Sequence, residues 1–520
     1  MKPVDELEPV VELENVTVSF GLHRAVSEAS LAIRPGEVWA ILGPNGSGKT
    51  VLSEVVAGRR EPTHGRVIFA EGLQPATDIR VVSFEEQLRV MADERRHDES
   101  WIMHGRIDEG TPVEEFVKAG ARTSRAAEGN AGFEGRRRVD RDVETLLRQF
   151  RIAHLRKRGL RFLSTGEMRK SLLCRALAGG PRVIVLDDPF DGLDVEAQEH
   201  LRRDIDELAD GETTLLVVAG RRGDLPDSTT HVAFLEGGRL RFAGPRRELS
   251  LASAPGPADR YEVRLDARVS GGLHLPAPPR HEPFPPDRPV IEMRGVSVSY
   301  GEKRILAPLD WEARLGEVWH ILGPNGAGKS TLLSLVDGSN PKAYGQHIRL
   351  FGQLRGSGES VWDIKRRIGF VSADFHNSYP SRTTARDAVL SGFRDSAGLY
   401  EQPTGYQIQI AERWLDILGF RDRGGDKLRT FSYGEQRAIL VARAMVKMPP
   451  LLVADEPSQG LDDHHSAFVL SILERVGRET DTCVLYVSHK PEFTLDCATH
   501  RMQILPQDDS KGSQVVIEEL

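Results

Sequence analysis

Cysteine is scarce: Cys174, Cys483 and Cys497 are the only three in 520 residues. No pair has CxxC spacing and none falls in a Cys/His array, so neither a zinc site nor an iron–sulfur cluster is indicated. An odd, sparse complement of thiols suits a reducing compartment. Nowhere do about 18 apolar residues run together, so no transmembrane helix is expected. The N-terminal stretch MKPVDELEPVVELENV is acidic and lacks the cationic-then-apolar order of a signal peptide. Cationic excess is missing too, with 69 Lys+Arg against 77 Asp+Glu and a net charge of −8. Coating a nucleic acid needs a clustered cationic footprint, and the main basic run, Arg136-Arg137-Arg138, reads as a solvated face. A chain of this length holds two to four domains at roughly 100–200 residues each. It is expected in the cytoplasm, or peripheral to the inner face of a membrane through a partner.

What the chain does have is an internal repeat. GPNGSGKT at 43–50 returns as GPNGAGKS at 323–330, 280 positions on. NVTVSFG (15–21) and GVSVSYG (295–301) keep that offset, as do Gly58 and Gly338. LSTGE (163–167) and FSYGE (431–435) are 268 apart, as are Asp187 and Asp455. An offset this long means two homologous domains rather than a solenoid. They are placed at 1–250 and 290–505. The intervening 251–289 is expected to be a semi-rigid proline-rich linker, carrying PAPPRHEPFPPDRP. YEVRLDARV (261–269) alternates like a strand and leaves an ordered arm as the other reading. The last segment, 506–520, is expected to be a polar, partly ordered tail.

Each repeat alternates strand, loop and helix. VWAIL (38–42) and VWHIL (318–322) are short buried strands running into glycine loops, with helices over 50–58 and 330–338 ending at a glycine. PRVIVLDDP (181–189) and PLLVADEP (450–457) are apolar strands that end in paired carboxylates. TTLLVVAG (213–220) and TCVLYVSH (482–489) give a further buried strand. This is an α/β fold with a parallel sheet, whose ligands sit at the carboxyl ends of the strands. The stretch between the glycine loop and LSTGE or FSYGE turns helical, and Thr111-Pro112-Val113-Glu114 reads as a capping box with proline at N1.

Both glycine loops match GxxxxGK[ST] in full, each between a strand and a helix. The loops comprise Gly43, Pro44, Asn45, Gly46, Ser47, Gly48, Lys49 and Thr50, and Gly323, Pro324, Asn325, Gly326, Ala327, Gly328, Lys329 and Ser330. Backbone N–H groups and the helix N-terminus cradle phosphates, Lys49 and Lys329 reach the β/γ oxygens, and Thr50 and Ser330 offer hydroxyls to Mg²⁺. Two such strings in register predict binding of ATP with Mg²⁺. Phe20 and Tyr300 each lie 29 residues before the loop lysine, where an aromatic can stack on adenine.

In this order, phosphate loop, helical insertion, LSxGE block, Asp-Asp/Glu-Pro strand end and GLD (192–194 and 460–462), the chain resembles the ATP-binding cassette family. The resemblance implies two tandem P-loop cassettes, each a parallel-sheet core with a helical subdomain. It further implies head-to-tail pairing of the two cassettes within one chain. One site would then join Lys49, Thr50, Asp187 and Asp188 to Ser432, Gly434 and Glu435. The other would join Lys329, Ser330, Asp455, Glu456 and His489 to Ser164, Gly166 and Glu167. Thr50, Asp187, Ser330 and Asp455 would hold the metal, and Glu456 would polarise the attacking water. The first copy departs from the pattern, with Asp188 in place of that glutamate and Gly220 in place of His489. Turnover is therefore expected to be asymmetric, with the second copy's site the main hydrolytic one. Arg221 and Arg222 are read as loop arginines. The family's glutamine after the first helical-lobe strand is missing from its place, where Phe84-Glu85 and Ala373-Asp374 stand, and Gln87 is the nearest substitute.

Ribosome-associated relatives carry a charged helical linker and NHLD after the carboxylates, and tandem sugar-import ATPases read closer to LSxGxQQ; neither pattern is present. LSTGEMRKSLLCRAL, DPFDGLD, RGSGESVWDIKRRIGFVS and WLDILG are similar to the ModF-type tandem family, associated with molybdenum uptake and also labelled photorepair. That resemblance implies the energy-coupling ATPase of a molybdate-like transport system with a membrane permease partner. A soluble ATP-driven switch acting on a macromolecule is the alternative.

Overall fold

The structure is a computed structural model that describes residues 8–20, 23–96, 110–122, 143–209, 213–220, 222–249, 284–285, 287–301, 303–372, 379–380, 382–396, 398–489, 494–507 and 511–520. Most of the proline-rich linker with 261–269, the basic run 136–138, Arg221, Ala373 and Asp374 lie outside the described residues, as do the side chains of Phe84, Glu85 and Arg222. The chain divides into two compact units, Met1–Arg260 and Tyr261–Leu520.

In the first unit, β1 (Val11–Phe20), β2 (His23–Ile33), β3 (Val38–Leu42) and α1 (Lys49–Val56) are followed by β4 (His64–Phe69), β5 (Ile79–Ser83) and α2 (Phe84–Arg96). Then come α3 (Val113–Arg122), α4 (Thr165–Leu177), β6 (Val183–Asp187), α5 (Val195–Ala209), β7 (Thr214–Ala219), β8 (His231–Glu236) and β9 (Arg239–Pro245). The nine strands form one sheet in the order β4-β1-β2-β9-β8-β3-β7-β6-β5. β5, β6, β7, β3 and β8 are mutually parallel, whereas β1 pairs antiparallel with β2 and β4. VWAIL forms β3 because a strand covered on both faces has no solvated side to carry polar residues, and all five of its residues are buried. Side chains alternate across the sheet. Val183, Val185 and Val218 pack with Leu52 and Val55 of α1. Ile184, Leu186 and Val217 pack on the other face with Val117, Leu172 and Ile205 of the helical layer.

The second unit repeats this plan. It runs β10 (Ile291–Tyr300), β11 (Lys303–Ala313), β12 (Val318–Leu322), α6 (Lys329–Val336), β13 (His347–Leu350), β14 (Gln353–Leu354), α7 (Val361–Lys365) and β15 (Ile368–Ser372). After these come α8 (Ala385–Leu390), α9 (Gly405–Ile417), α10 (Tyr433–Met445), β16 (Leu451–Asp455), α11 (Asp463–Glu479), β17 (Cys483–Ser488), β18 (His500–Leu505) and β19 (Gln514–Glu519). A four-stranded sheet, β11-β10-β13-β14, accompanies a six-stranded one, β15-β16-β17-β12-β18-β19.

Two local expectations need correction. The segment expected as a polar tail supplies β19, which pairs antiparallel with all of β18 from His500↔Glu519 to Leu505↔Gln514. Its sequence QVVIEE is half polar because an edge strand buries one face at most. The Thr111–Glu114 capping box does not form. Glu94 accepts the Thr111 N–H at 3.1 Å, while the Glu114 carboxylate takes Lys118 at 2.8 Å and Arg156 at 3.1 Å. A charge-assisted bond to a cation competes well against a neutral N–H.

Candidate active site

Each phosphate loop turns on a left-handed glycine. Gly48 caps α1 at φ 99° and Gly328 caps α6 at φ 103°, a conformation that costs a residue bearing a Cβ. A Cβ on Gly48 would lie 2.2 Å from the Ala25 carbonyl oxygen, and one on Gly43 would lie 2.0 Å from that of Leu235. Lys49 is buried, and its Nζ donates to the carbonyls of Gly43 (2.8 Å) and Pro44 (3.0 Å). Lys329 spans its loop likewise, to Gly323 (2.6 Å) and Pro324 (3.2 Å). Thr50 and Ser330, next along each helix, are exposed. The result in each unit is an anion cradle of helix N-terminus, loop N–H groups and a lysine.

The carboxylates stand at the ends of the central strands. Asp187 ends β6 and Asp455 ends β16. The next residues, Asp188 and Glu456, share one turn, at φ 47° and 48°. Each donates its N–H to the neighbouring strand, to Val218 and Val487 respectively, at 3.0 Å. Glu456 is held from two sides: its Oε2 lies 2.8 Å from His489 Nδ1, and its Oε1 lies 3.7 Å from Lys329 Nζ. His489 is buried, and among the described residues its Nε2 has no hydrogen-bond partner. Asp188 meets no such histidine, because Gly220 follows β7 where His489 follows β17. Burial, and after it the Asp187 charge, push the Asp188 carboxyl up to about 7. Hard oxygens at Thr50 with Asp187, and at Ser330 with Asp455, are a donor set that suits Mg²⁺, which typically takes few protein ligands and fills its shell with water and phosphate oxygens.

The LSxGE blocks are helix caps. Ser164 and Glu167 form a reciprocal capping box on α4 (2.7 and 3.3 Å), and Ser432 and Glu435 form one on α10 (2.7 and 3.2 Å). Glu167 and Glu435, expected among the nucleotide ligands, are thus turned back onto their own helices, with Arg158 and Arg423 beside them. Ser164 and Ser432 stand as the N-caps of these helices, with Gly166 and Gly434 in their first turns; Gly434 is buried. Phe20 and Tyr300, expected to stack on adenine, are both 48% exposed. The Arg60 guanidinium lies 5.0 Å from the Phe20 centroid, and Lys342 Nζ 5.9 Å from that of Tyr300.

Sequence reasoning missed two features. Arg169 and Arg437, one turn into the capped helices, are wholly buried. Arg169 donates to the Asp188 carbonyl (3.2 Å) and the Asp191 carbonyl (3.4 Å), and burial pushes its pKa down to about 10. Its Nε also holds the Gln87 amide oxygen at 2.9 Å, so Gln87 serves the helix rather than standing in for the absent glutamine. Arg437 donates to Ser372, the last residue of β15, at 2.7 Å. The second feature is His465, which contacts Ser432 from 33 residues away. Its only sequence signal is a histidine three residues after the Asp of GLD.

Comparison with known proteins agrees with this geometry. The ABC transporter family model matches residues 26–191 and 306–459. The chain is similar to the ABC transporter ATP-binding protein ModF of Escherichia coli, 36% identical over 92% of this chain and 93% of that one. It is also similar to an uncharacterized ABC transporter ATP-binding protein of Schizosaccharomyces pombe, 26% identical over 95% and 97%. Among solved structures, an archaeal ribosome recycling factor in complex with a ribosomal stalk protein has a TM-score of 0.54 at 17% identity. That match covers 97% of this chain and 90% of the other, a likeness of fold alone. Among the described residues no helix is long and apolar enough to cross a membrane. With two matched regions on two phosphate loops, the chain belongs to the ABC transporter family, as an ATP-binding protein with two cassettes in tandem.

Proposed function

We propose that the chain hydrolyses ATP asymmetrically, with the phosphate-loop site of the second cassette performing most of the turnover. In this reading the cassettes pair head to tail. Lys49, Thr50, Asp187 and Asp188 then face Ser432 and Gly434, and Lys329, Ser330, Asp455, Glu456 and His489 face Ser164 and Gly166. Mg²⁺ would be held by Thr50 and Asp187, and by Ser330 and Asp455, and would neutralise charge on the phosphates.

The observation that carries the asymmetry is the contact of His489 Nδ1 with Glu456 Oε2 at 2.8 Å, for which the first cassette has Asp188 and Gly220. Phosphoryl transfer depends on positioning and electrostatics, and a base displaced by about 1 Å can cost on the order of 10²-fold. Glu456 accepts the proton of a water held in line, and His489 keeps that carboxylate aimed. Its buried second nitrogen is left for the terminal phosphate or the water. Steady-state ATPase decides the matter: Glu456→Gln should remove most of the activity and Asp188→Asn much less. Equal losses at unchanged ATP affinity would refute it.

We read the biological role as energy coupling for a transport system of the molybdate-like class, with a membrane permease as partner. The support is the 36% identity to a protein named as an ABC transporter ATP-binding protein. Fractionation of cells carrying the intact chain tests this. Recovery with membranes, lost on deleting a permease, is the expected outcome; a wholly soluble distribution at every nucleotide state would favour the switch acting on a macromolecule.

A further inference from the structure

The Ser432 hydroxyl does not stand alone. His465 Nε2 lies 3.1 Å from its Oγ, and His465 Nδ1 lies 2.8 Å from Asp462 Oδ1. Asp462 also caps α11 by accepting the His465 N–H at 2.8 Å, which fixes the ring at the start of that helix. The ring fits only because residue 434 is glycine: a Cβ there would lie 2.2 Å from His465 Cδ2. The first cassette keeps the cap without the ring. Asp194 accepts the N–H of Ala197 at 2.8 Å, and a Cβ on Gly166 would meet the Ala197 methyl at an ordinary 3.5 Å.

We propose that His465 is a positioning residue that sets the direction of the Ser432 hydroxyl proton, so that the second cassette's signature block donates to a terminal phosphate only while His465 is protonated. The proposal rests on the reading above that Ser432 faces a nucleotide. A hydroxyl has one proton and two lone pairs. One lone pair of Ser432 takes the Glu435 N–H. The Asp462 carboxylate only accepts, so Nδ1 of His465 carries a proton in either charge state. In the neutral ring Nε2 is then an acceptor and takes the serine proton, leaving a phosphate oxygen to face a lone pair. In the charged ring Nε2 donates, the serine proton swings free toward phosphate, and a positive charge stands behind it. Among the described residues, the charged groups that bear on His465 include Asp462 on its own turn and Glu435 on α10, which Arg423 pairs at 3.0 Å. The hydrogen bond to Asp462 raises the histidine pKa and partial burial opposes it, with a net rise above the ordinary value. The charged form is therefore populated near neutral pH.

The test uses the full chain with Lys329→Ala, so that the remaining triphosphate site is the one assigned to Ser432. Affinity for the magnesium complexes of ADP and of an ATP analogue with a non-hydrolysable β–γ bridge is measured at about pH 6 and about pH 9. His465→Ala, which installs the residue of the first cassette and frees the Ser432 proton at every pH, should flatten the pH profile. It should weaken the triphosphate analogue about ten-fold at the lower pH, where the positive charge is lost, and tighten it by about two-fold or more at the higher, where the ring no longer takes the serine proton, leaving ADP unmoved. His465→Gln donates an amide N–H at every pH, and should hold tight binding at both. If Ser432→Ala leaves triphosphate affinity unchanged throughout, the underlying reading falls and the proposal with it. If Ser432→Ala weakens binding but His465→Ala and His465→Gln both keep the wild-type pH profile, the histidine proposal alone is overturned. A carbon-13 label at the histidine ring gives a readout independent of nucleotide: the resonance lost in His465→Ala should titrate above the ordinary value near 6.5.

Discussion

Asp188 and Glu456 occupy one backbone position in their respective cassettes, each left-handed and each tied by its N–H to the carbonyl of the next strand at 3.0 Å. What separates them is one methylene and the presence of His489 beside Glu456 alone. The first cassette should therefore be repairable. Among the described residues a Cβ on Gly220 meets nothing within 4 Å, so a histidine can be placed there without a clash with them at its first carbon. In a Glu456→Gln background, Asp188→Glu with Gly220→His should raise the residual ATPase by about ten-fold or more, part of the roughly 10²-fold that positioning is worth. No rise, with ATP binding intact at both loops, would show that something other than these two residues silences the site.

His489→Ala should lower kcat nearly as far as Glu456→Gln while leaving ATP affinity within about two-fold, because the histidine's bond is to the base rather than to the loop. Lys49→Ala should do the opposite at its own site, weakening ATP binding. A His489→Ala variant that lost affinity and kept kcat would reverse the roles assigned to ring and carboxylate.

The loop glycines are not equivalent. A Cβ on Gly48 would drive into the Ala25 backbone at 2.2 Å, whereas one on Gly46 meets nothing within 4 Å and pays only for φ 76°. Gly46→Ala should cost about 1–2 kcal/mol of stability in the nucleotide-free protein, the penalty for a left-handed residue. Gly48→Ala adds the shift of a buried strand and should cost clearly more. Urea unfolding of the two variants, followed by far-ultraviolet circular dichroism, ranks them, and equal costs would contradict the geometry.

Much of this was legible in the sequence. The duplicated GxxxxGK[ST] and the apolar strands ending in carboxylates carry both fold and phosphate site, because those signals are local. Ser164-Thr-Gly-Glu167 and Ser432-Tyr-Gly-Glu435 also spell capping boxes, a local signal available beside the family motif that here explains both glutamates. What was not legible depends on contacts between distant segments. Gln87 meets Arg169 from 82 residues away, and Ser432 meets His465 from 33, with no periodicity to announce either. β19 carries little sequence signal because an edge strand needs little apolar pattern when its partner, β18, supplies the buried face.

His320 offers a test of the second core that is independent of catalysis. It sits in the middle of β12, where the first cassette has Ala40, wholly buried and stacked on Tyr486 at 4.9 Å. Among the described residues neither ring nitrogen has a hydrogen-bond partner. Burial, and after it the Arg501 charge, push its pKa from 6.5 down to about 4. A histidine with a depressed folded pKa stabilises the fold fully above the unfolded value and loses that contribution as pH falls, because the unfolded chain binds the proton first. The window is pH 6.5 down to about 4, and the shift corresponds to about 3 kcal/mol. His320→Leu removes the titrating group and keeps apolar bulk against Tyr486. Relative to this variant, the wild-type second cassette should lose about 3 kcal/mol between pH 7 and pH 4, read from its urea transition at each pH. A wild-type-to-variant difference that stayed constant across that range would mean that His320 is charged, or solvated, within the folded core.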